Sequence, residues 1–398
     1  MSEIRVLFLG TGNPTPTFIR NRILQLDNTG NVKVVVLASV ERIKDFTLKN
    51  GIVLPELPIC FSIRSTILPL IFYSLLYPFS TLRLWLSFDC YSFKTRLRTF
   101  IKYHSLVRVR LIIDIVHFQW VVSSDEIGWA RKFFKVPVII SARGSQLTIY
   151  PVTEPDYELK IRSSLKAADY IHAVSQGMAD ACIRHGADKD KIFVNYNGFD
   201  IERFKSLKQN KNNYKQFHLI STGTLMWRKG YLWQLILVKL LKEKGLKVKH
   251  RIIGDGPDRQ GLQYTLLKLG LAEDIILEGH KPQEELINYL GDSDVYISTS
   301  AAEGLSNAVL EAVASGLPVV AFDCEGMNEI IDEGYNGFIV PFGDIISMAE
   351  KVRLLYSNRQ LLETMGLNGA LIAAEKFDYK IHVQKMIEFY KTVCNSDE

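Results

Sequence analysis

Glu303 and Glu311 stand eight residues apart, with Gly304, Leu305, Ser306 and Asn307 following the first of them. Eight residues of α-helix turn about 800°, so the second carboxylate comes within about 80° of the first direction, some two turns deeper. With a helix starting at this loop, both acids border one cleft. A carboxylate accepts hydrogen bonds side by side, as vicinal sugar hydroxyls present them. The first N–H groups of such a helix have no partner within it, and with the helix dipole they favour an anion, most naturally a phosphate. Gly304 lets a ligand approach the backbone closely. Upstream, Arg228 and Lys229 follow the glycine turn at Gly223 and lead into another helix. Two adjacent cations at a helix entrance suit a diphosphate. Each feature alone has a plainer alternative: an N-capped amphipathic helix with two solvated acids, and a solvated Arg-Lys pair.

The elements around these residues repeat one pattern. The run Asp294–Thr299 reads as a strand, the loop and helix follow, and Gly316-Leu317-Pro318 ends the helix before a new apolar strand at Val319-Val320. Strand, loop, helix, strand is the unit of a doubly wound α/β sheet. The start of the chain gives the same order: a strand over Arg5–Leu9, a turn-rich loop, a helix over Phe18–Leu26 and a strand over Val32–Leu37. The loop Gly10–Thr17 lacks the third glycine of a dinucleotide fingerprint, because Thr15 stands there. Leu111–Trp120 reads as a buried strand that carries His117 near its carboxyl end, where ligands meet parallel sheets. A lone histidine there serves the core as readily as a ligand. Further strands are predicted before Arg143-Gly144, over Ala168–Ser175, over Phe217–Thr222, before the Gly254-Asp255-Gly256-Pro257 turn, and before His280-Lys281-Pro282. Arg143 suits a phosphate or a carboxylate.

At 398 residues the chain is too long for one ordinary core, and two domains are expected. A hydrophobic content of 47% with 23% charged residues is that of a globular protein. Cys60, Cys90, Cys182, Cys324 and Cys394 are scattered, which suggests a reducing compartment and no zinc ribbon. Met1–Arg5 has no signal-peptide layout, so a cytoplasmic protein is expected. The net charge of +5 is uneven. Residues 61–110 hold eight basic residues against one acid, Asp89, which predicts an anionic partner: a membrane surface, a lipid diphosphate or an acidic glycan. Nothing points to nucleic acid. Ile67–Phe88 is apolar but is broken by Pro69, Pro78 and Arg83, so two short amphipathic helices are expected in place of a membrane span. With the basic stretch Lys94–Arg110 they suit peripheral contact with the inner membrane face; ordinary core helices with a solvated basic face are the alternative.

The stretch Glu303 to Val319, a glutamate, seven residues, a second glutamate, a small-residue helix and Gly-Leu-Pro-Val, resembles the donor-site signature of glycosyltransferase family 4. These are retaining nucleotide-sugar enzymes of the GT-B fold. Gly223–Gly230 matches that family's Gly-x-Leu-x-x-x-Lys-Gly loop. Asn13–Ile19 looks like the Pro-rich variant of exopolysaccharide transferases, Asp114–His117 like the family's Asp-x-Val-His segment, and Asn197–Asp200 like its Asn-Gly-x-Asp loop.

The resemblance implies two Rossmann-like domains facing a central cleft: residues 1–206 for the acceptor, 207–377 for the nucleotide sugar, and a helix over 378–398 returning to the first domain. Leu207–Gln216 is the expected linker. The implied reaction moves a sugar from a nucleotide diphosphate sugar to a hydroxyl of a glycan or lipid-linked oligosaccharide, in cell-envelope polysaccharide biosynthesis. His117 would face the reacting sugar. Arg228, Lys229 and the N–H groups of Gly304–Asn307 would hold the diphosphate, Glu311 the ribose, and Glu303 the donor sugar. Gly12, Gly254 and Lys281 would lie along the nucleotide sugar, and Asn13 and Arg143 along the acceptor. With no acidic pair placed for a divalent ion, no metal or other cofactor is expected. A non-catalytic or phosphorylase-type member of the same fold is the alternative. A nicotinamide-dependent oxidoreductase is disfavoured by the incomplete glycine loop.

Overall fold

The structure is a computed structural model that describes residues 3–12, 15–57, 66–205 and 216–396. Asn13, Cys60, Arg64 and nearly all of the expected linker lie outside these residues. The chain divides into two compact units. One takes the residues up to Val174, then Met178–Tyr196 and those from Lys380 on; the other takes Ser175–Gly177 and Asn197–Tyr379. The sequence reading places its domain boundary at 206/207; chain contacts place the passage at Tyr196/Asn197.

In the first unit the strands are β1 (Ile4–Leu9), β2 (Val32–Ser39), β3 (Ile52–Glu56), β4 (Ile115–Phe118), β5 (Val138–Ala142), β6 (Tyr170–Ala173) and β7 (Ile192–Val194). They form one parallel sheet in the order β3-β2-β1-β4-β5-β6-β7. Its strands are largely apolar, as parallel sheets buried on both faces are. Val6, Leu7, Phe8 and Leu9 are all buried. Each contributes about 1.5–3 kcal/mol by leaving water. Strand order reverses between β1 and β4, so the crevice for a ligand opens at their carboxyl ends.

The sheet corrects one expectation. Leu111–Ile113 are apolar, yet β4 begins only at Ile115, opposite Val6. Asp114 ends the approach: its carboxylate accepts from the Arg5 amide, and its own amide donates to the Arg5 carbonyl. Leu111 is left exposed on the preceding turn. The expected pair of short helices is present as Leu68–Leu76 and Pro78–Ser87. Among the described residues no helix is long and apolar enough to cross a membrane.

The helix Tyr379–Asn395 joins the first unit. Asn195 and His382 exchange two hydrogen bonds, and Phe193 stacks on Phe389 at 4.1 Å. The C-terminal helix thus returns to the N-terminal sheet.

In the second unit the strands are β8 (Phe217–Thr222), β9 (Val248–Ile253), β10 (Ile275–Gly279), β11 (Val295–Ser298), β12 (Val319–Phe322) and β13 (Gly337–Val340). They are parallel, in the order β10-β9-β8-β11-β12-β13. The reversal lies between β8 and β11. The helix Asn307–Ala314 follows β11 and is backed by the helix Arg359–Lys376. A Cβ on Gly366 of the backing helix would stand 2.1 Å from the Gly316 carbonyl oxygen. Only a glycine permits this approach, and the approach fixes the helix that starts at the glutamate loop.

Candidate functional site

Of the residues singled out in the second unit, Arg228, Lys229 and Glu303–Asn307 lie in the loops that follow β8 and β11, the reversal point of its sheet, while Gly254 follows β9 and Lys281 follows the edge strand β10. A small polar cavity of about 10 Å³ lies at the reversal, lined by Ser221 and Thr222 from β8, Ser298 at the end of β11, Ser300 beyond it, Lys229, and Ser306 at the helix start. Ser306 occupies the N-cap position, but its side chain accepts no bond from the helix amides. The first turn therefore presents N–H donors that no cap satisfies.

The turn bearing the two cations is fastened to β11. Ala301 N–H donates to the Arg228 carbonyl at 2.8 Å, and the Thr299 hydroxyl reaches the Lys229 and Gly230 carbonyls. Gln234 donates to the Thr299 hydroxyl and in turn meets His250 at 2.9 Å. Lys229 Nζ then donates to Glu303 Oε1 at 2.5 Å, and the Ser300 hydroxyl donates to the same oxygen at 2.8 Å. Burial works against the Glu303 charge. The Lys229 charge and the hydrogen bonds from Lys229 and Ser300 outweigh it, and hold the carboxyl below its ordinary value. Sequence separates this pair by 74 residues and gives no sign of it. Arg228 carries no ion pair among the described residues, though its charge also favours ionised Glu303.

Glu311 is the opposite case. Burial raises its carboxyl from 4.5 to about 7, and one long bond from Gln283 Nε2, 3.4 Å, does little to oppose this. Two glutamates on one loop and helix thus differ in charge state, for reasons that lie entirely in their partners. Gln283 and Ser300 were not anticipated. The polar run Ser298-Thr299-Ser300 at a strand end was the signal for the second.

Gly254 sits at the end of β9 with φ 142°, and a Cβ there would meet the Gly223 carbonyl oxygen at 1.9 Å. The loops after β8 and β9 lock together here: Gly223 N–H donates to Ile253 and Leu225 N–H to Asp255. Space for a neighbouring loop is reason enough for this glycine. Lys281 lies 5.5 Å above the Tyr289 ring, beyond β10.

The residues of the first unit gather at its own reversal point. Gly12 follows β1 with φ 90°. Asn13 lies outside the described residues. His117 is 1% exposed, with Nδ1 2.7 Å from the Tyr390 hydroxyl and Nε2 2.9 Å from Ser141 Oγ. Burial, then the charges of Arg143 and Arg22, hold it well below the ordinary histidine range, so it is neutral. Both ring nitrogens are engaged, and the imidazole offers neither to a ligand in this conformation. It ties β4 to β5 and to the C-terminal helix. Arg143 is buried, donates through Nε to the Gln119 carbonyl at 2.9 Å and through Nη2 to Gln119 Oε1 at 3.3 Å, and covers the Phe18 ring. Burial and the Arg22 charge lower its pKa well below the ordinary value. Gln119, two residues past His117, is fully buried, and its Nε2 has no hydrogen-bond partner among the described residues. A buried amide left unpaired is costly. Sequence reading stopped at the histidine and missed it.

Two adjoining family descriptions match this chain. "Glycosyltransferase Family 4" matches residues 70–203, and "Glycosyl transferases group 1" matches residues 202–371. The chain belongs to the glycosyltransferases. The amylovoran biosynthesis glycosyltransferase AmsK of Erwinia amylovora is 32% identical over 173 residues, which cover 42% of each chain. WcaL of Escherichia coli K12, named for colanic acid biosynthesis, is 30% identical over 205 residues, 50% of this chain and 49% of its own. The glycosyltransferase chain thus spans about half the length of these curated relatives. Among solved structures, Anabaena HepE in complex with UDP superposes with a TM-score of 0.70 over 98% of this chain and 100% of its own, at 18% identity. At that identity the likeness shows the fold, which is GT-B. Among the described residues no group of three or more His, Cys, Asp and Glu is placed to hold a metal ion, and no disulfide joins the described cysteines.

Proposed function

We propose that this glycosyltransferase moves a sugar, with retention of configuration, from a nucleoside diphosphate donor to a hydroxyl of a glycan or lipid-linked oligosaccharide in cell-envelope polysaccharide assembly. The observation that carries the reading is the uncapped helix start at the β8/β11 reversal, with Lys229 and a polar lining beside it. The names of AmsK and WcaL and the UDP held by HepE support the same class of substrate.

In this reading the diphosphate meets the amides of Leu305–Asn307, with Arg228 and Lys229 sharing its charge. Donors fixed before the reaction stabilise a departing diphosphate better than water, which must reorganise. Lys229 is already held by Glu303, so it is aimed before the donor arrives. Glu303 keeps Oε1 for Lys229 and Ser300 and turns its other oxygen to the donor sugar. Glu311 accepts from the ribose diol, and those hydroxyls supply the hydrogen bonds that favour its charged form. A diphosphate oxygen takes the acceptor's proton as the new bond forms on the face the leaving group quits. Neutralisation by residues makes the reaction independent of a divalent ion.

On the acceptor side, Arg143 and the unpaired amide of Gln119 hold the acceptor, and His117 fixes the strand that carries Gln119. An acceptor on a lipid diphosphate brings the enzyme to the cytoplasmic membrane face.

Thermal unfolding with uridine, guanosine and adenosine diphosphates tests the donor site. One of them raises the melting temperature, and Arg228→Ala, Lys229→Ala and Glu311→Ala each reduce that rise. Equal rises in all four proteins refute the assignment. Turnover unchanged by a chelator and an unchanged anomeric configuration in the product test the remainder.

A further inference from the structure

The helices Leu68–Leu76 and Pro78–Ser87 present an unusual number of large apolar side chains to water. In the first, Leu68, Ile71, Phe72, Leu75 and Leu76 are exposed, at positions i, i+3, i+4, i+7 and i+8, and so form one continuous stripe. Leu75 is 76% exposed. The opposite face is anchored to the core through Leu70 and Tyr73. In the second helix Leu84 is buried between Ser80 and Ser87, which are buried too, while Phe79, 85% exposed, and Leu82 and Leu86 point out. The Ser87 hydroxyl is satisfied by the Arg83 carbonyl at 2.7 Å, within its own helix.

The apolar stripe has a basic edge. Phe93, 72% exposed, opens the helix Phe93–Tyr103 and touches Trp85 of the preceding helix at 6.1 Å. Lys94 and Arg98 follow one turn apart on the exposed side and have no ion pair among the described residues. The one acid of this stretch, Asp89, is tied to Lys132 at 2.6 Å. Helices of nine and ten residues are about 14–15 Å long, half of what a bilayer core requires, so they lie in an interface and do not span it.

We infer that this face docks on an anionic lipid bilayer, with Phe72, Leu75, Phe79 and Leu82 entering the acyl boundary and Lys94 and Arg98 meeting the phosphates of the headgroups. Free cations beside the stripe select a bilayer over a second copy of the chain, whose identical face would repel them. The inference deepens the membrane contact of the proposed function and rests on that reading for its purpose, while its test needs no donor.

The full chain is sedimented with vesicles of phosphatidylcholine alone and with vesicles of equal parts phosphatidylcholine and phosphatidylglycerol. Binding to the mixed vesicles, much weaker binding to the neutral ones, and loss at high salt are expected. Lys94→Ala with Arg98→Ala weakens binding to the mixed vesicles about twenty-five-fold, at about fivefold per cation. Phe79→Ser with Leu82→Ser weakens it more than about tenfold. Circular dichroism, and the melting-temperature rise with nucleotide, stay as in the wild type for both pairs and show that they fold. Equal binding to both lipids, no binding to either, or a lipid-free dimer that Phe79→Ser with Leu82→Ser converts to monomer overturns the inference. Loss of the nucleotide response with vesicle binding kept would instead refute the donor site.

Discussion

Replacing Glu311 by glutamine should stabilise the empty protein and weaken its hold on nucleotide. Burial raises this carboxyl from 4.5 to about 7. A shift of that size corresponds to about 3 kcal/mol between the charged and neutral forms. Solvent at the half-buried side chain screens part of it, leaving about 1–3 kcal/mol. The sign follows from linkage. Below pH 4.5 the folded and unfolded chains both keep the proton, and the residue makes no difference. As pH rises from 4.5 to 7 the unfolded chain ionises first, so the wild type loses stability through this range and the loss is complete above it. Glutamine has no proton to lose. The melting temperature of Glu311→Gln should therefore match the wild type at pH 4 and exceed it at pH 8 by about 2–4 °C per kcal/mol. Nucleotide reverses the order. A ribose diol donating to the carboxylate is a charge-assisted pair, and its loss should weaken nucleoside diphosphate binding by roughly tenfold or more. Scanning calorimetry across pH with isothermal titration at pH 8 measures both. A variant that melts at or below the wild type at pH 8, or whose difference does not change with pH, refutes the argument from burial.

Other outcomes follow from single contacts. Lys229→Ala leaves Glu303 buried without its partner and should cost about 3–5 kcal/mol of stability in urea unfolding, most of which returns in Lys229→Ala with Glu303→Gln. Because Glu303 is held below its ordinary value, the wild-type pair contributes fully above about pH 4.5 and its contribution fades as pH falls through the depressed pKa, so acid unfolding should begin at higher pH in Ser300→Ala. Gln119→Leu removes a buried amide whose Nε2 has no hydrogen-bond partner among the described residues but whose Oε1 accepts from Arg143, and should cost about 1–3 kcal/mol in melting, while raising the KM for acceptor and sparing the nucleotide response. Gly366→Ala pushes a methyl group against the Gly316 carbonyl, which has no room to yield, and should cost about 1–3 kcal/mol together with weaker nucleotide binding, both read by thermal unfolding.

Much of the fold was legible because parallel strands buried on both faces announce themselves as apolar runs. Val34–Leu37 and Val319–Phe322 have no other reading, and the turn residues between them set the helices. The same signal misled at Leu111–Ile113, where apolar residues lie on a turn, because sheet pairing begins only opposite Val6. The candidate donor loop was legible for a local reason: glycine, serine and a helix start are neighbours in sequence. What sequence concealed was long-range pairing. Lys229 meets Glu303, Gln283 meets Glu311, and His117 meets Tyr390 across 273 residues. Charge state at a site depends on these meetings, so two glutamates that look alike in the sequence differ in the fold. The apolar stretch 67–88 revealed its helices, but only burial showed which side faces out.

The return of residues 380–396 to the first sheet bears on how the protein is made. Tyr390 and His382 complete a core whose strands were synthesised long before, and the intervening residues 197–379 form a sheet of their own. At about 5–20 residues per second, ribosomes need on the order of ten to forty seconds to cross that interval. Through that time the imidazole of His117 and the amide of Asn195 lack the groups that satisfy them. The lobe begun first is finished last, and a nascent chain stalled before Tyr390 would carry a mature C-terminal lobe beside an open N-terminal one, the form most exposed to chaperones and proteases.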